Sequence, residues 1–98
     1  MRTAELFEEA EAELREAAAF YGGAAAGLRE AFLGEFERVL GLALEFPALG
    51  APYEAGTRRL LLARFPYGIV YRERSAERLE VVAVMHLRRE PGYWHGRL

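Results

Sequence analysis

The stretch that decides the fold is residues 64–94, RFPYGIVYRERSAERLEVVAVMHLRREPGYW. Two runs in it are rich in β-branched and aromatic residues, Tyr67 to Glu73 and Leu79 to His86, and the polar segment Arg74 to Arg78 separates them. This pattern predicts an antiparallel hairpin. Pro66 cannot donate a ladder hydrogen bond, so it marks the corner after a preceding strand, Arg58 to Phe65. We therefore expect a small sheet of three antiparallel strands in this half of the chain.

Two helices are predicted before the sheet. Apolar residues recur every three or four positions from Glu8 to Tyr21 and again from Ala25 to Phe46, which is typical of amphipathic helices paired as a hairpin. Gly22-Gly23 is expected to end the first helix, because glycine accepts the left-handed conformation of helix ends. Thr3 to Phe7 is interpreted as a first strand, although a helical opening turn is the alternative. Pro47 to Gly56 is the linker to the sheet.

Length and composition limit the classes of protein. The 98 residues are expected to form one domain, residues 1–98, and no run approaches the roughly 20 apolar residues of a membrane span. Met1 to Glu9 lacks the basic and apolar regions of a secretory signal, so a cytoplasmic location is expected. With no cysteine and only His86 and His95, we expect no metal and no cofactor.

The charge is unevenly distributed along the chain. Residues 1–46 hold ten Glu and four Arg, whereas residues 47–98 hold five Glu and nine Arg, within a net charge of -2. Guanidinium groups match both phosphate and carboxylate, so an arginine-rich face would suit nucleic acid or an acidic partner. Dispersed arginines on a solvated sheet are the alternative.

Side-chain alternation predicts which residues share a face. On the last strand, Leu79, Val81, Ala83 and Met85 are expected to form the core face. Given a suitable register, the other two strands would present three arginines to one surface: Arg58, Arg64 and Arg72. On the second helix, Gly34 and Gly41 form a stripe that would let a partner's backbone approach, in a homodimer or with another protein. Compositional drift toward glycine is the alternative.

These features together resemble the RelE/ParE superfamily of small bacterial toxins from type II toxin-antitoxin systems, the plasmid stabilisation family. The resemblance covers nearly the whole chain. It rests on the linker Phe46-Pro47-Ala48-Leu49-Gly50, the arginine-led strand, the Phe65-Pro66-Tyr67 corner, Tyr71-Arg72, and the tail His86-x-Arg88-Arg89-x-Pro91-x-Tyr93-Trp94. It implies an α+β fold in which a helical hairpin packs on a small antiparallel sheet. It also implies growth arrest and neutralisation by a cognate antitoxin.

The resemblance leaves two toxic mechanisms open, and a third possibility is a decayed member of the family that survives only as an interaction module. ParE-like toxins inhibit DNA gyrase without catalysis, and the tail motif is similar to that branch. RelE-like toxins are ribosome-dependent mRNA endonucleases; carried over, Arg58 or Arg59 together with Arg64 would hold the scissile phosphate, and Tyr93 or His86 would move protons. Without a lysine, proton transfer would rest on His86, His95, a tyrosine or a glutamate. The expected binding residues are Arg58, Arg59, Arg64, Arg72, Arg88, Arg89 and Trp94. The chain has no lysine and arginine stays protonated, so gyrase inhibition is favoured over the nuclease alternative.

Structural roles compete with functional ones for several of these residues. His86 is equally consistent with a strand-end imidazole that is bound locally. Tyr93 and Trp94 would then be a hydrophobic latch for the tail. Tyr67 and Tyr71, which share a face with Ile69, are expected in the core.

Overall fold

The computed structural model, which describes residues 1–98, consists of two helices packed on one face of a five-stranded mixed sheet. In chain order the elements are β1 (Thr3–Leu6), α1 (Glu8–Ala24), α2 (Leu28–Glu45), β2 (Ala51–Pro52), β3 (Arg58–Leu61), β4 (Tyr67–Glu73) and β5 (Arg78–His86). Short 3-10 turns lie at Pro47–Leu49, Glu54–Gly56 and His95–Arg97. Neither helix combines the length and apolarity needed to cross a membrane.

The strand order is β1-β5-β4-β3-β2. Strands β3 to β5 pair antiparallel, as predicted. Strand β2, within the predicted linker, adds a short antiparallel strand beside β3, and β1 adds a parallel strand beside β5. The sheet is therefore mixed, because the chain crosses over through α1 and α2 before it returns. The predicted fold, a helical hairpin on a small sheet, is confirmed, and so is the interpretation of the first residues as a strand.

The turn between the helices lies later than predicted. Gly22 and Gly23 remain inside α1, which continues to Ala24, so the prediction that they end the helix is wrong. The left-handed residue is Gly27, with φ of 82°, directly before α2. Glycine is preferred there because it has no Cβ to clash with the backbone.

A bulge in β5 changes which side chains face the helices. Val81 pairs with Tyr71 and Ala83 pairs with Val70, so Val82 is an extra residue in the ladder. The extra residue reverses the alternation beyond it. The prediction that Ala83 and Met85 share the core face of Leu79 and Val81 is therefore wrong.

The two faces of the sheet carry different cores. Helices and sheet enclose the larger one, whose buried members include Phe32, Phe36, Ile69, Tyr71, Leu79 and Val81. The second face carries a smaller cluster of Val70, Val82, Ala83, Met85 and Trp94. The segment that follows β5 covers this second face with the Trp94 ring, so both faces of the central strands are buried.

Candidate functional site

Two of the predicted binding arginines are occupied within the chain. Arg58 donates hydrogen bonds from Nη1 to the carbonyl oxygens of Gly50 at 2.8 Å and Ala48 at 3.4 Å. Arg72 donates from Nε to the Glu80 carboxylate at 2.8 Å, and both side chains of that pair are largely buried. These contacts engage one nitrogen of each guanidinium and stabilise the linker and the β4–β5 pair.

The predicted common surface of three arginines is also absent. Arg58 pairs with Tyr71, whose ring lies in the helix-side core. Arg72 is the next residue of the same strand, so its side chain points to the opposite face. Arg64 lies outside the strands, in the turn between β3 and β4, with a positive φ of 68°. The prediction that Arg58, Arg64 and Arg72 reach one surface is wrong.

Three other arginines do gather at one end of the sheet. Tyr67 pairs with His86, and the Leu87 amide donates to the Pro66 carbonyl at 2.9 Å, so the turn before β4 lies beside the turn after β5. These turns carry the exposed arginines Arg64, Arg88 and Arg89, which we call the arginine end. None of the three makes an ion pair within the chain. They can therefore pair with carboxylates or phosphates of a partner, although the Arg89 guanidinium also stacks on the Tyr93 ring.

Arg59 is separate from the arginine end. Its guanidinium lies over the Tyr53 ring, 4.4 Å from the ring centre, and its side chain runs beside Gly68 on the second face of the sheet. This is a cation–π contact on a half-buried side chain. Arg59 is therefore partly occupied, although it makes no ion pair.

A cleft of about 220 Å³ opens between α1 and the arginine end. Its lining comprises Glu13, Glu16, Ala17, Phe20, Tyr67, Val84, His86, Arg89 and Tyr93. Two of the three candidate catalytic residues, His86 and Tyr93, thus lie in one cleft. Arg64, the predicted phosphate-binding residue, does not line it.

His86 is bound locally, as the structural alternative predicted. Its Nδ1 accepts a hydrogen bond from the Arg88 amide at 3.0 Å, and its ring meets the Tyr67 ring edge to face at 5.0 Å. An accepting Nδ1 places the proton of the neutral imidazole on Nε2. The ring fixes the turn after β5, and Nε2 is the nitrogen left for any contact with a partner.

Tyr93 is bound to a carboxylate that sequence reasoning did not single out. Its hydroxyl donates to Glu13 Oε2 at 2.6 Å. Burial, together with this hydrogen bond, raises the pKa of the Tyr93 phenol far above its usual value. The group therefore stays protonated near neutral pH and cannot act as a general base there. Arg89 lies over the same ring, with its guanidinium carbon 3.9 Å from the ring centre.

Glu13 and Arg97 form the most extensively bonded ion pair in the chain. Arg97 donates from Nη1 and Nη2 to the two Glu13 oxygens, each at 2.9 Å, and both side chains are only 15% exposed. Burial alone would raise the pKa of the Glu13 carboxyl, but hydrogen bonds from Arg97, Tyr93 and the Val84 amide hold the pKa below its usual range. This carboxylate stays ionised inside the protein.

Glu13 and Arg97 also form hydrogen bonds with backbone groups on the free edge of β5. Strand β1 pairs with β5 only as far as Val81. Beyond that point the Val82 carbonyl accepts from Arg97 at 3.0 Å, and the Val84 amide donates to Glu13 at 3.0 Å. Side chains thus replace the strand that is missing, and they cover an edge that would otherwise be open to another chain. One feature of the sequence indicates this role for Glu13. It lies three residues after Ala10 and four before Ala17, both buried, so it is on the face of α1 that packs against the sheet.

Trp94 is not a surface residue. Its ring is fully buried at 0% exposure against Val70, Val82, Ala83 and Met85. The prediction that it contributes to binding is wrong, and the alternative, a hydrophobic latch, is confirmed. The indole N–H has no hydrogen-bond partner, so the apolar contacts of the ring must outweigh that cost.

The structure contains no group of three or more carboxylate or imidazole side chains placed to hold a metal ion. What remains at the site is the arginine end, the cleft beside it, and the tail that covers the second face. These features stand on an α+β fold in which a helical hairpin covers one face of a mixed sheet.

The chain belongs to the ParE toxin family of the type II toxin-antitoxin system parDE, whose family model matches residues 5–91. A solved structure of the chromosomal ParDE system from P. aeruginosa is similar in fold, with a TM-score of 0.65 and 18% identity. The similarity covers 90% of this chain and 98% of the other. No curated protein sequence matches the chain.

Proposed function

We propose that this toxin acts in the cytoplasm by binding DNA gyrase without catalysis, and that a cognate antitoxin neutralises it. The observation that carries the proposal is the state of Tyr93, within a chain that belongs to the ParE family. Its hydroxyl already donates to Glu13 at 2.6 Å, and its raised pKa opposes a role in proton transfer. A non-catalytic inhibitor needs no such group, whereas an endonuclease must move a proton.

The test compares the two targets directly. After brief induction, mRNA ends are mapped in the cell, and the purified protein is assayed against gyrase supercoiling. We expect inhibited supercoiling and intact transcripts. His86→Phe should keep its inhibitory potency within about threefold, whereas loss of a positioned proton carrier would cost about 100-fold or more. Ribosome-dependent cleavage with normal supercoiling would replace the proposal by the RelE-like alternative.

The antitoxin is proposed to be acidic and to contact the arginine end. Arg64, Arg88 and Arg89 are exposed and carry no internal carboxylate partner, so carboxylates of the antitoxin can pair with them. The double reversal Arg88→Glu/Arg89→Glu should weaken the complex at least tenfold, corresponding to about 1.4 kcal/mol. Each single reversal should account for part of this loss, and Arg74→Glu is their matched control, because Arg74 is exposed and unpaired in the turn between β4 and β5, at the opposite end of the sheet.

Coexpression links this complex to growth. The wild-type chain alone should arrest a bacterial host, and coexpression of the neighbouring antitoxin gene should restore growth. The double reversal should need more antitoxin than the Arg74→Glu control does. Equal antitoxin affinity of both variants would place the interface elsewhere.

A further inference from the structure

An exposed apolar ridge follows α2 and belongs to neither the cleft nor the arginine end. It consists of the exposed residues Phe46, Ala48, Leu49, Ala51 and Pro52. Phe46 is 54% exposed and Leu49 is 51% exposed. Apolar side chains scattered singly on a surface need no explanation, but a contiguous group of them commonly marks an interaction site.

Buried polar groups hold the backbone of the ridge from beneath. The Tyr71 hydroxyl donates to the Pro47 carbonyl at 2.7 Å and accepts from the Gly50 amide at 2.9 Å. Arg58 donates to the carbonyls of Gly50 and Ala48 from the same side. Two large side chains of the sheet therefore fix a short linker whose own side chains point into solvent.

Gly50 brings the ridge close to the sheet. A Cβ added at this residue would lie 2.6 Å from the Tyr71 hydroxyl oxygen, which is closer than real contacts allow. The close approach lets the tyrosine reach two backbone groups of the linker at once. A rigid apolar surface loses little conformational freedom on binding, so this geometry favours association.

We propose that the ridge is the surface with which the toxin contacts its target, and that it docks into an apolar groove with a basic rim on a folded protein. The inference rests on the proposed function, because it names the contact of a non-catalytic inhibitor. The ridge itself carries no charge. It is flanked by the exposed Glu45, which makes no ion pair within the chain, and by Glu54, whose carboxylate lies 3.0 Å from His95 Nε2. An acidic antitoxin does not complement this surface, but a basic rim does.

A second copy of the chain fits the ridge poorly. Two ridges in contact would bury only these five side chains from each copy. These five side chains alone fall short of the roughly 800 Å² per partner of a stable interface, whichever partner binds them. A contact between two copies would in addition bring the Glu45 carboxylates of both copies to one interface, where like charges oppose association. The ridge is therefore an anchor within a larger contact with a different protein, where a few apolar side chains dominate the binding energy.

The test removes the apolar side chains and measures both the inhibition of gyrase and the affinity for the antitoxin. Phe46→Ser/Leu49→Ser should raise the concentration that inhibits gyrase supercoiling by about tenfold or more, and weaken growth arrest in parallel. Its affinity for the antitoxin should stay within about threefold of wild type. The matched control is Leu61→Ser, because Leu61 is 52% exposed on β3 and outside the ridge. Retained Trp94 fluorescence and an unchanged melting temperature establish that both variants fold.

A second variant tests the rigidity of the ridge. Tyr71→Phe keeps every ridge side chain but removes both hydroxyl hydrogen bonds, so inhibition should weaken by about threefold to tenfold. Equal potency of the double serine variant and wild type would overturn the inference but leave the proposed function intact. So would a loss of antitoxin affinity in that variant, because the ridge would then be an antitoxin surface. A wild-type chain that neither inhibits gyrase nor arrests growth would overturn the inference and the proposed function together.

Discussion

Glu13→Ala removes the carboxylate that joins α1, β5 and the C-terminal tail. The change deletes four hydrogen bonds: two from Arg97, one from Tyr93 and one from the Val84 amide. It also leaves the Arg97 guanidinium, only 15% exposed, without its counter-ion. Breaking one partner of a buried pair costs about 3–5 kcal/mol, and partial exposure places this site near the lower figure, about 3 kcal/mol. Total stability of a domain is typically about 5–15 kcal/mol, so the effect is large.

Urea unfolding measures the effect, with the fluorescence of Trp94 as reporter because it is the only tryptophan and is fully buried. The control is Glu11→Ala on the same helix, whose carboxylate lies 3.8 Å from Arg15 but is 59% exposed, and it should cost under about 1 kcal/mol. In a double-mutant cycle, Glu13→Ala and Arg97→Ala should show a coupling of about 1–3 kcal/mol. Additive losses, or a Glu13→Ala cost no larger than the Glu11→Ala cost, would refute the role assigned to this pair.

Acid should destabilise the protein through Glu35, whose hydrogen bonds from Arg38 lower the carboxyl pKa from 4.5 to about 2. A depressed pKa stabilises the fold above the unfolded value, so stability should fall from about pH 4.5 toward pH 2, and Glu35→Gln should flatten this part of a urea-midpoint curve. Gly41→Ala, at an open position inside α2, should stabilise the protein by about 0.5–1 kcal/mol. Gly50→Ala should instead destabilise it by about 1–3 kcal/mol through contact with Tyr71; equal melting temperatures for the two variants would contradict both assignments.

The architecture could be predicted because local patterns determine it. The boundaries of β4 coincide with those predicted from its alternating sequence, Tyr67 to Glu73. Strand β3 is shorter than predicted and ends at Leu61, since Arg64 adopts a left-handed conformation in the following turn. The composition does not indicate that an arginine will adopt a positive φ, so the end of this strand could not be predicted from the sequence.

The sheet faces could not be predicted, because one extra residue determines them. In a ladder without the bulge, Ala83 and Met85 would face the helices together with Leu79 and Val81, as the alternation of residues indicates. The bulge sends them to the second face, where they form the floor on which Trp94 packs. Nothing in the run Val81-Val82-Ala83-Val84 distinguishes a bulged residue from a regular one.

The tail motif was hardest to interpret, because one short segment serves two purposes. Tyr93 and Trp94 point inward, to Glu13 and to the second-face cluster, and these contacts fix the path of the tail. Arg88 and Arg89, a few residues earlier, remain exposed because the His86 ring binds the turn that carries them. The contacts of His86 and Tyr93 within the chain thus hold the tail and the turn that carries Arg88 and Arg89. A substitution at Tyr93 or Trp94 that abolishes toxicity should therefore be judged first by the stability of the variant, and only then by the chemistry of the lost side chain.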